Sequence, residues 1–132
     1  MAEVNDILSV RNNGTSELFD IKKAKETYDY DERKAYTEGI KYYYGIITDV
    51  RAVRADRGYY PIIREFGEHL KKYEKTEDID EIKKMSELFG KFFPDGNISM
   101  LFVSVGLTFA FDGISEYLMH LKKLYLIRTD EA

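Results

Sequence analysis

The segment from Asp31 to Arg57 carries its apolar side chains at the spacing that an α-helix converts into one continuous stripe. Steps of four, three, four and three residues separate the members of this stripe: Tyr36, Ile40, Tyr43, Ile47 and Val50. Positions three and four apart share one face of a helix with 3.6 residues per turn. Cations at the end of the segment suit the negative end of a helix, and Gly58 follows as a stop. The sequence therefore predicts one long helix over 31–57, whose stripe needs a covering partner.

Two shorter amphipathic segments follow the long helix. Pro61 suits the first turn of one helix. The apolar stripe of that helix consists of Ile62, Phe66, Leu70 and Tyr73. Asp78 and Glu81 resemble a capping box at the start of the next helix. The stripe of this next helix consists of Ile82, Met85, Phe89 and Phe92. Two further helices joined by short links are therefore expected before the Pro94-Asp95-Gly96 stop.

The last segment opens with an apolar run from Ile98 to Phe111, which Asn97 or Ser99 can cap. Because the run is apolar on all sides, we predict a helix buried all round. Its valines and threonine leave a β-strand open as the alternative. The run is shorter than the roughly 17–25 residues that span a bilayer, so no transmembrane span is expected, although contact with a lipid surface stays open.

The second half of this segment, from Ile114 to Ile127, is amphipathic and predicts a helix, which Asp112-Gly113 either kinks or ends. Six glycines fall inside the predicted helices: Gly39, Gly45, Gly67, Gly90, Gly106 and Gly113. Each costs up to about 1 kcal/mol relative to Ala, so we expect packing reasons for them. Gly106 and Ala110 have the small-x3-small spacing that lets another helix approach closely.

The first residues lack periodicity, so we interpret 1–14 as a flexible N-terminal arm. Thr15 or Ser16 can cap a first helix that carries Leu18, Phe19 and Ile21. Residues 15–132 then form a single domain. The fold class expected is all-α: an antiparallel helical bundle of about four helices with an N-terminal arm.

Composition narrows the function classes. The chain has 132 residues, a net charge of -4 and no Cys. Zero Cys excludes disulfides, thiolate nucleophiles and Cys-based zinc sites, and a negative charge argues against strong non-specific binding to nucleic acid. Scarce Asn and the absence of Cys and Gln favour a thermophilic source. The start of the chain lacks the features of a secretory signal, so we expect a virion or cytoplasmic location.

Tyrosine is the most unusual feature. Nine of the 11 tyrosines fall between Tyr28 and Tyr73. Three consecutive ones occupy the long helix, where neighbours point about 100° apart. One stripe cannot take all three, so at least one must face outward or towards a second helix layer, and we expect the tyrosine surface to make contacts with another molecule. The predicted interface residues are Tyr42, Tyr43, Tyr44, Tyr59 and Tyr60. A wide tyrosine-rich core is the alternative.

Arg51, Arg54 and Arg57 lie within an arc of about 120° on the predicted long helix. Arginine suits bidentate contacts with oxyanions, so these residues are the candidate nucleic-acid-binding site, with DNA as the partner. The alternative is a set of helix-terminal cations offset by Asp49 and Asp56. No glycine-rich phosphate loop accompanies them.

Arg64 and His69 match the loose Arg-x4-6-His pattern of the HEPN ribonucleases, which are also small helical bundles. That resemblance implies that the arginine would hold phosphate and the histidine would assist attack by the 2′-hydroxyl. Positions five apart on one continuous helix are about 140° apart, which gives poor convergence unless the helix begins between them. Surface residues among Glu and Lys are the favoured interpretation.

Asp112, Glu116 and His120 recur every four residues and so share a helix face. Carboxylates and imidazole bind divalent metals, but di-iron bundles need a Glu-x-x-His on each of two helices. Here the spacing is Glu-x-x-x-His and it occurs once. We therefore predict a solvated face, with no metal and no cofactor.

The arm, the long helix over Asp31–Arg57, the apolar last helix and the thermophile-like composition together resemble the helical-bundle coat proteins of filamentous viruses of hyperthermophilic archaea. The resemblance is in size and general layout and contains no diagnostic motif. It implies a non-enzymatic, self-assembling structural subunit whose partners are copies of itself or a related subunit, and DNA. The N-terminal part of this chain is not basic, which departs from a DNA-wrapping pattern. The alternative functions are an inhibitor or immunity-type protein with one cellular target and, behind it, the ribonuclease.

Overall fold

A computed structural model describes the backbone of residues 9–10, 18–93 and 99–131, and the side chains of 18–93 and 99–125. Nine elements follow one another in the described ranges: β1 (Ser9–Val10), β2 (Leu18–Phe19), α1 (Ile21–Thr27), α2 (Glu32–Thr48), α3 (Arg51–Ala55), α4 (Tyr60–Thr76), α5 (Ile79–Gly90), α6 (Met100–Ser104) and α7 (Thr108–Glu131). Helices dominate and pack on one another, which confirms the all-α bundle.

Short polar side chains fix most helix starts. The carboxylates of Asp20, Asp31 and Asp78 accept backbone N–H bonds at the starts of α1, α2 and α5. Ser99 does the same for α6, as its sequence position predicts. The Asp56 carboxylate accepts hydrogen bonds from the backbone N–H groups of Gly58 and Tyr59 and so stabilises the turn that leads into α4. Pro61 lies in the first turn of α4.

The core is built from two antiparallel helix pairs. α2 packs along α7, α4 packs along α5, and α5 also contacts α7. The predicted stripes of α2, α4 and α5 are buried, except that Ile62 and Val50 are half-buried. The centre of the molecule is a set of phenylalanine rings from four helices: Phe66, Phe89, Phe102 and Phe111.

The prediction of one unbroken helix over 31–57 is wrong. α2 ends at Thr48, and Val50 is extended (φ -84°, ψ 122°) before the short α3 begins. The Thr48 hydroxyl donates back to the carbonyl of Tyr44, which competes with helix continuation. The Arg54 guanidinium then donates to the carbonyl of Thr48 at 2.8 Å and satisfies that helix end.

The prediction that 98–111 is one helix buried on all sides is also wrong. The described part forms the five-residue α6, a break at Gly106 in the left-handed region (φ 72°), and the first turn of α7. Gly106 therefore lies outside a helix and does not form the expected small-x3-small contact. Helix continues through Asp112-Gly113, so neither residue ends it.

Leu18 and Phe19 belong to β2, not to a first helix as predicted. β2 pairs antiparallel with β1 in the register Ser9 to Phe19 and Val10 to Leu18. The phenol of Tyr43 accepts the Phe19 N–H at 2.9 Å, which fixes β2 against α2. Most of the predicted arm, together with the caps at Thr15 and Ser16, lies outside the described residues.

Candidate functional site

The three consecutive tyrosines of α2 all pack within their own chain. Tyr42 is 9% exposed and Tyr43 3%, and Tyr44 is half-buried. The 100° steps that separate them point each ring at a different neighbour: Tyr42 at Phe19, Tyr43 at α7 and Tyr44 at α4. Of the two outcomes that the sequence left open, an outward-facing ring or packing against a second helix layer, the structure shows the second, because α2 is covered on three sides.

Glycines on the facing helices make room for these rings. A Cβ at Gly113 of α7 would overlap the ring of Tyr43, and a Cβ at Gly39 of α2 would overlap the ring of Tyr117. Both helices thus carry the same Gly-x3-Tyr spacing and run antiparallel, so the tyrosine ring of each helix packs against the glycine of the other. The two phenols stack with centroids 6.0 Å apart. We call this reciprocal arrangement the glycine sockets.

Tyr44 uses a third glycine. Its ring lies where a Cβ of Gly67 would be, stacks on Phe66, and its hydroxyl donates to the carbonyl of Ile63 at 2.9 Å. Burial, with a smaller contribution from Tyr60, raises the pKa of Tyr44 to about 12. Burial likewise raises the pKa of Tyr43 and of Tyr117. The phenol groups of Tyr43, Tyr44 and Tyr117 therefore stay neutral to a higher pH than that of an exposed tyrosine.

Tyr59 and Tyr60 are half-buried at the start of α4. The ring of Tyr59 packs against Phe92 and Phe102, with the latter centroid 5.1 Å away. Most of the surface of the five tyrosines predicted to form an interface therefore packs within its own chain. Gly45 and Gly90 differ from the socket glycines, because nothing lies within 4 Å of a Cβ at either position.

The arginine cluster does not share one helix face. Arg51 and Arg54 lie on α3, while Arg57 lies in the turn beyond it. The side chain of Arg54 is engaged with the carbonyl of Thr48. Arg51 and Arg57 remain exposed, so two of the three predicted phosphate contacts are geometrically available.

Arg64 and His69 both lie within the continuous α4, so they point about 140° apart. Arg64 is exposed, whereas His69 is half-buried and bonds through Nδ1 to the carboxylate of Glu81 on α5. This pair ties α4 to α5, and the geometry does not bring the arginine and the histidine to one phosphate.

On α7, Glu116 and His120 approach within 3.9 Å, and the imidazole stacks flat on Tyr36 with centroids 4.7 Å apart. Asp112 is exposed one turn earlier. Within the described residues no group of three or more His, Asp or Glu side chains is arranged to hold a metal ion. The stacking on Tyr36 gives His120 a structural role that the sequence pattern did not reveal.

A polar groove runs between the start of α2 and the end of α4. Its charged lining is Asp31, Arg33, Lys34, Glu38, Glu74 and Glu77, four acidic and two basic side chains. Lys41 beside it lies 3.0 Å from Glu74 and 3.2 Å from Glu38. Burial lowers the pKa of Lys41, but the hydrogen bond to Glu74 and the charge of Glu38 outweigh it and raise the pKa overall. Its acidic excess makes this groove unsuitable for phosphate.

Two of the five exposed large apolar side chains in the described residues lie together on α6. Met100 is 75% exposed and Val103 42%, although Phe102 between them is fully buried. Met100 and Val103 are three residues apart and therefore adjacent on one helix face. We call this pair the α6 ridge. Isolated exposed apolar residues are ordinary, but two neighbours on one short helix form a patch that another surface can cover.

Comparison with known proteins gives no relative: no family model, no curated protein and no solved structure matches this chain. None of the helices in the described ranges is both long and apolar enough to cross a membrane.

Proposed function

We propose that this protein is a non-enzymatic, self-assembling structural subunit that contacts copies of itself through the α6 ridge. The observation that carries the proposal is the exposure of Met100 and Val103 side by side on one helix, whereas the other exposed large apolar side chains among the described residues, Leu18, Tyr30 and Met119, lie in different parts of the fold. We therefore propose α6, instead of the tyrosine-rich helix, as the contact surface.

A second copy fits this ridge better than a membrane or a nucleic acid does. Residues 99–111 contain no basic side chain, and the whole chain carries a net charge of -4. Helices that lie on lipid combine an apolar face with Lys and Arg, and phosphate binding requires the same cations. An apolar patch without charge is self-complementary, as a contact across a two-fold axis requires.

The ridge is small compared with the roughly 1,200–2,000 Å² of a stable interface. We therefore expect a weak contact that pairs two copies across a two-fold axis, and a coat or filament needs a second, different contact between such pairs. This is consistent with the resemblance to archaeal filamentous-virus coat proteins, which remains a proposal. DNA is then a partner of Arg51 and Arg57 alone, and the salt dependence of filter binding tests it.

Sedimentation velocity at rising protein concentration tests the proposal. The wild-type chain should shift to larger species, and the double variant Met100→Ser/Val103→Ser should stay monomeric at the same concentrations. Met119→Ser is the matched control, because Met119 is 50% exposed on α7 and lies outside the ridge. The control should assemble like the wild type.

A monomer at every concentration for the wild-type chain would exclude self-assembly and favour the inhibitor or immunity-type function, in which the ridge meets one foreign target. Assembly that persists unchanged in the double variant would show that a different surface joins the copies. Thermal unfolding of each variant separates a lost contact from a lost fold, because exposed substitutions change stability by no more than about 0.5 kcal/mol.

A further inference from the structure

The outer side of α7 is exposed and carries an ordered pattern of charge. Five exposed residues lie there within an arc of about 120°: Asp112, Glu116, Met119, Lys122 and Lys123. We call this set the α7 face. Its acidic side chains occupy the first half and its basic ones the second half, with Met119, which is 50% exposed, between them. The opposite side of the helix packs against α2 and α5.

The helix itself does not explain the order of these charges. Lysines offset the negative end of a helix dipole only within its last turn, and α7 continues to Glu131, well beyond Lys123. Among the described side chains, neither Lys122 nor Lys123 forms an ion pair, and Glu116 approaches only His120, at 3.9 Å. The charges of the α7 face are therefore available to a second surface.

The pattern of the α7 face is complementary to itself when it is reversed. Glu116 lies three residues before Met119 and Lys123 four residues after it, and helix geometry turns both to the same side of Met119, by about 60° and 40°. Two copies of α7 that pack antiparallel across a two-fold axis beside Met119 therefore place Glu116 of each copy opposite Lys123 of the other. Asp112, one turn further along, extends the acidic half beyond Glu116.

A second copy fits this face better than a partner with charge of one sign. The phosphates of a nucleic acid and the anionic surface of a membrane would be attracted by the lysines but repelled by Asp112 and Glu116. A copy of the face supplies both signs, in the order that matches when the helices are antiparallel. It also brings the two exposed Met119 side chains together at the centre of the contact.

We propose that the α7 face pairs antiparallel with the α7 face of a second copy, with Met119 against Met119 and Glu116 against Lys123. The inference rests on the proposed self-assembly and names the second contact that it needs. Each subunit then has one neighbour through the α6 ridge and a different neighbour through α7. Two different two-fold contacts join the subunits into an open chain unless their axes intersect, and such a chain is the repeat that a filament requires.

Disulfide trapping tests this contact in the full chain, which has no Cys of its own. Packed helices lie 8–10 Å apart and their Cα atoms have a radius of about 2.3 Å, so two facing Cα atoms come within about 5 Å, as a disulfide requires. On oxidation, Met119→Cys should form covalent dimers about tenfold faster than Tyr30→Cys, because the contact holds its two thiols together. Tyr30 is 70% exposed and lies outside both contacts. Equal rates overturn the proposal.

Charge exchange in the Met119→Cys chain then tests the pairing. Glu116→Lys and Lys123→Glu should each slow the cross-linking by about tenfold, because each creates two repulsive pairs across the axis. The double variant Glu116→Lys/Lys123→Glu should restore the rate, since it exchanges the two signs. Lys83→Glu, the same charge change at an exposed position on α5, is the control and should leave the rate unchanged.

Two results of this series overturn the proposal. A double variant that cross-links as slowly as the single variants would show that Glu116 and Lys123 do not face each other. Glu116→Lys also makes the chain less negative, so faster cross-linking in that variant would mean that net charge alone controls the encounter of two copies.

Salt separates this contact from the α6 ridge. In about 1 M salt the screening length falls to about 3 Å, which weakens the charged α7 contact but not the apolar ridge. Sedimentation therefore tests the ridge by itself in high salt, where Met100→Ser/Val103→Ser should leave monomers and Met119→Ser should keep the ridge contact. Assembly in high salt without cross-linking at Met119 overturns the α7 contact alone. Cross-linking at Met119 without assembly in high salt supports the α7 contact and overturns the ridge.

Discussion

The tyrosine-rich helix α2 is covered by its neighbours, whereas the apolar segment around α6 is partly exposed, which is the reverse of what their compositions suggest. Three adjacent tyrosines, each with a polar tip, are enclosed by α7, α4 and β2. The segment that reads as uniformly apolar instead presents Met100 and Val103 to solvent. Composition thus indicates how much apolar surface a segment has, but the shape of its neighbours decides whether that surface is covered.

Glycine explains the difference. Gly113 and Gly67 leave space for the rings of Tyr43 and Tyr44, and Gly39 leaves space for the ring of Tyr117, so neighbouring large residues can be buried. On α6, in contrast, Met100 and Val103 are left exposed by the part of the chain that the structure describes. This helix is only five residues long and is followed by the left-handed Gly106; one side of it, with Phe102, meets the core. The following predictions test this contrast, in order of decreasing effect.

Tyr43→Ala should lower the free energy of unfolding by about 3–5 kcal/mol, as loss of a buried aromatic ring does. The variant also removes the phenol oxygen that accepts the Phe19 N–H. Chemical denaturation measures the change. Tyr30→Ala is the control, because Tyr30 is 70% exposed and should change stability by less than about 0.5 kcal/mol. Equal, small effects of the two substitutions would contradict a tyrosine core.

Gly113→Ala should destabilise the protein by about 1–3 kcal/mol, because its methyl group overlaps the confined ring of Tyr43. Gly45→Ala should have the opposite sign and stabilise by up to about 1 kcal/mol, since nothing lies within 4 Å of a Cβ there and Ala favours the helix. Thermal unfolding compares the two. Stabilisation by both substitutions would show that the sockets are not tight.

Alkaline pH should weaken the fold through the socket tyrosines. The pKa of Tyr44 is about 12 in the folded protein and 10.0 without burial, so folding favours its neutral form. The resulting stability is complete below pH 10 and is lost as the pH rises through 12. Phenolate absorbance should show a late group of tyrosines that ionises together with the loss of helical circular dichroism. Ionisation of every tyrosine near pH 10 with the helices intact would contradict this.

Met100→Ser/Val103→Ser should have the smallest effect on stability, within about 0.5 kcal/mol, because both side chains are exposed in the monomer. The same variant should have a large effect on sedimentation. A stability loss of several kcal/mol in dilute solution would mean that the α6 ridge belongs to the core, and the contrast with α2 would disappear.

The candidate site was the least predictable part. The α6 ridge falls within the segment from Ile98 to Phe111, which the sequence marks as unusually apolar, yet the same pattern predicts burial. The shared helix face predicted for the arginine cluster is wrong, because Arg57 lies beyond α3 and Arg54 bonds to the carbonyl at the end of α2, while nucleic-acid binding by these residues stays a prediction. Neither break in the helical pattern, at Val50 or at Gly106, interrupts the apolar periodicity strongly enough to be read from it.

What the amino-acid sequence determined alone was local. Periodic apolar stripes specified helices, and Asp31, Asp78, Ser99 and Pro61 specified where several of them begin, because these effects depend on neighbours within one turn. What tertiary structure decided was which face meets which helix. The matching of Tyr43 with Gly113 and of Tyr117 with Gly39 joins residues 70 and 78 positions apart, and no local rule contains the shape of a surface that a distant segment supplies.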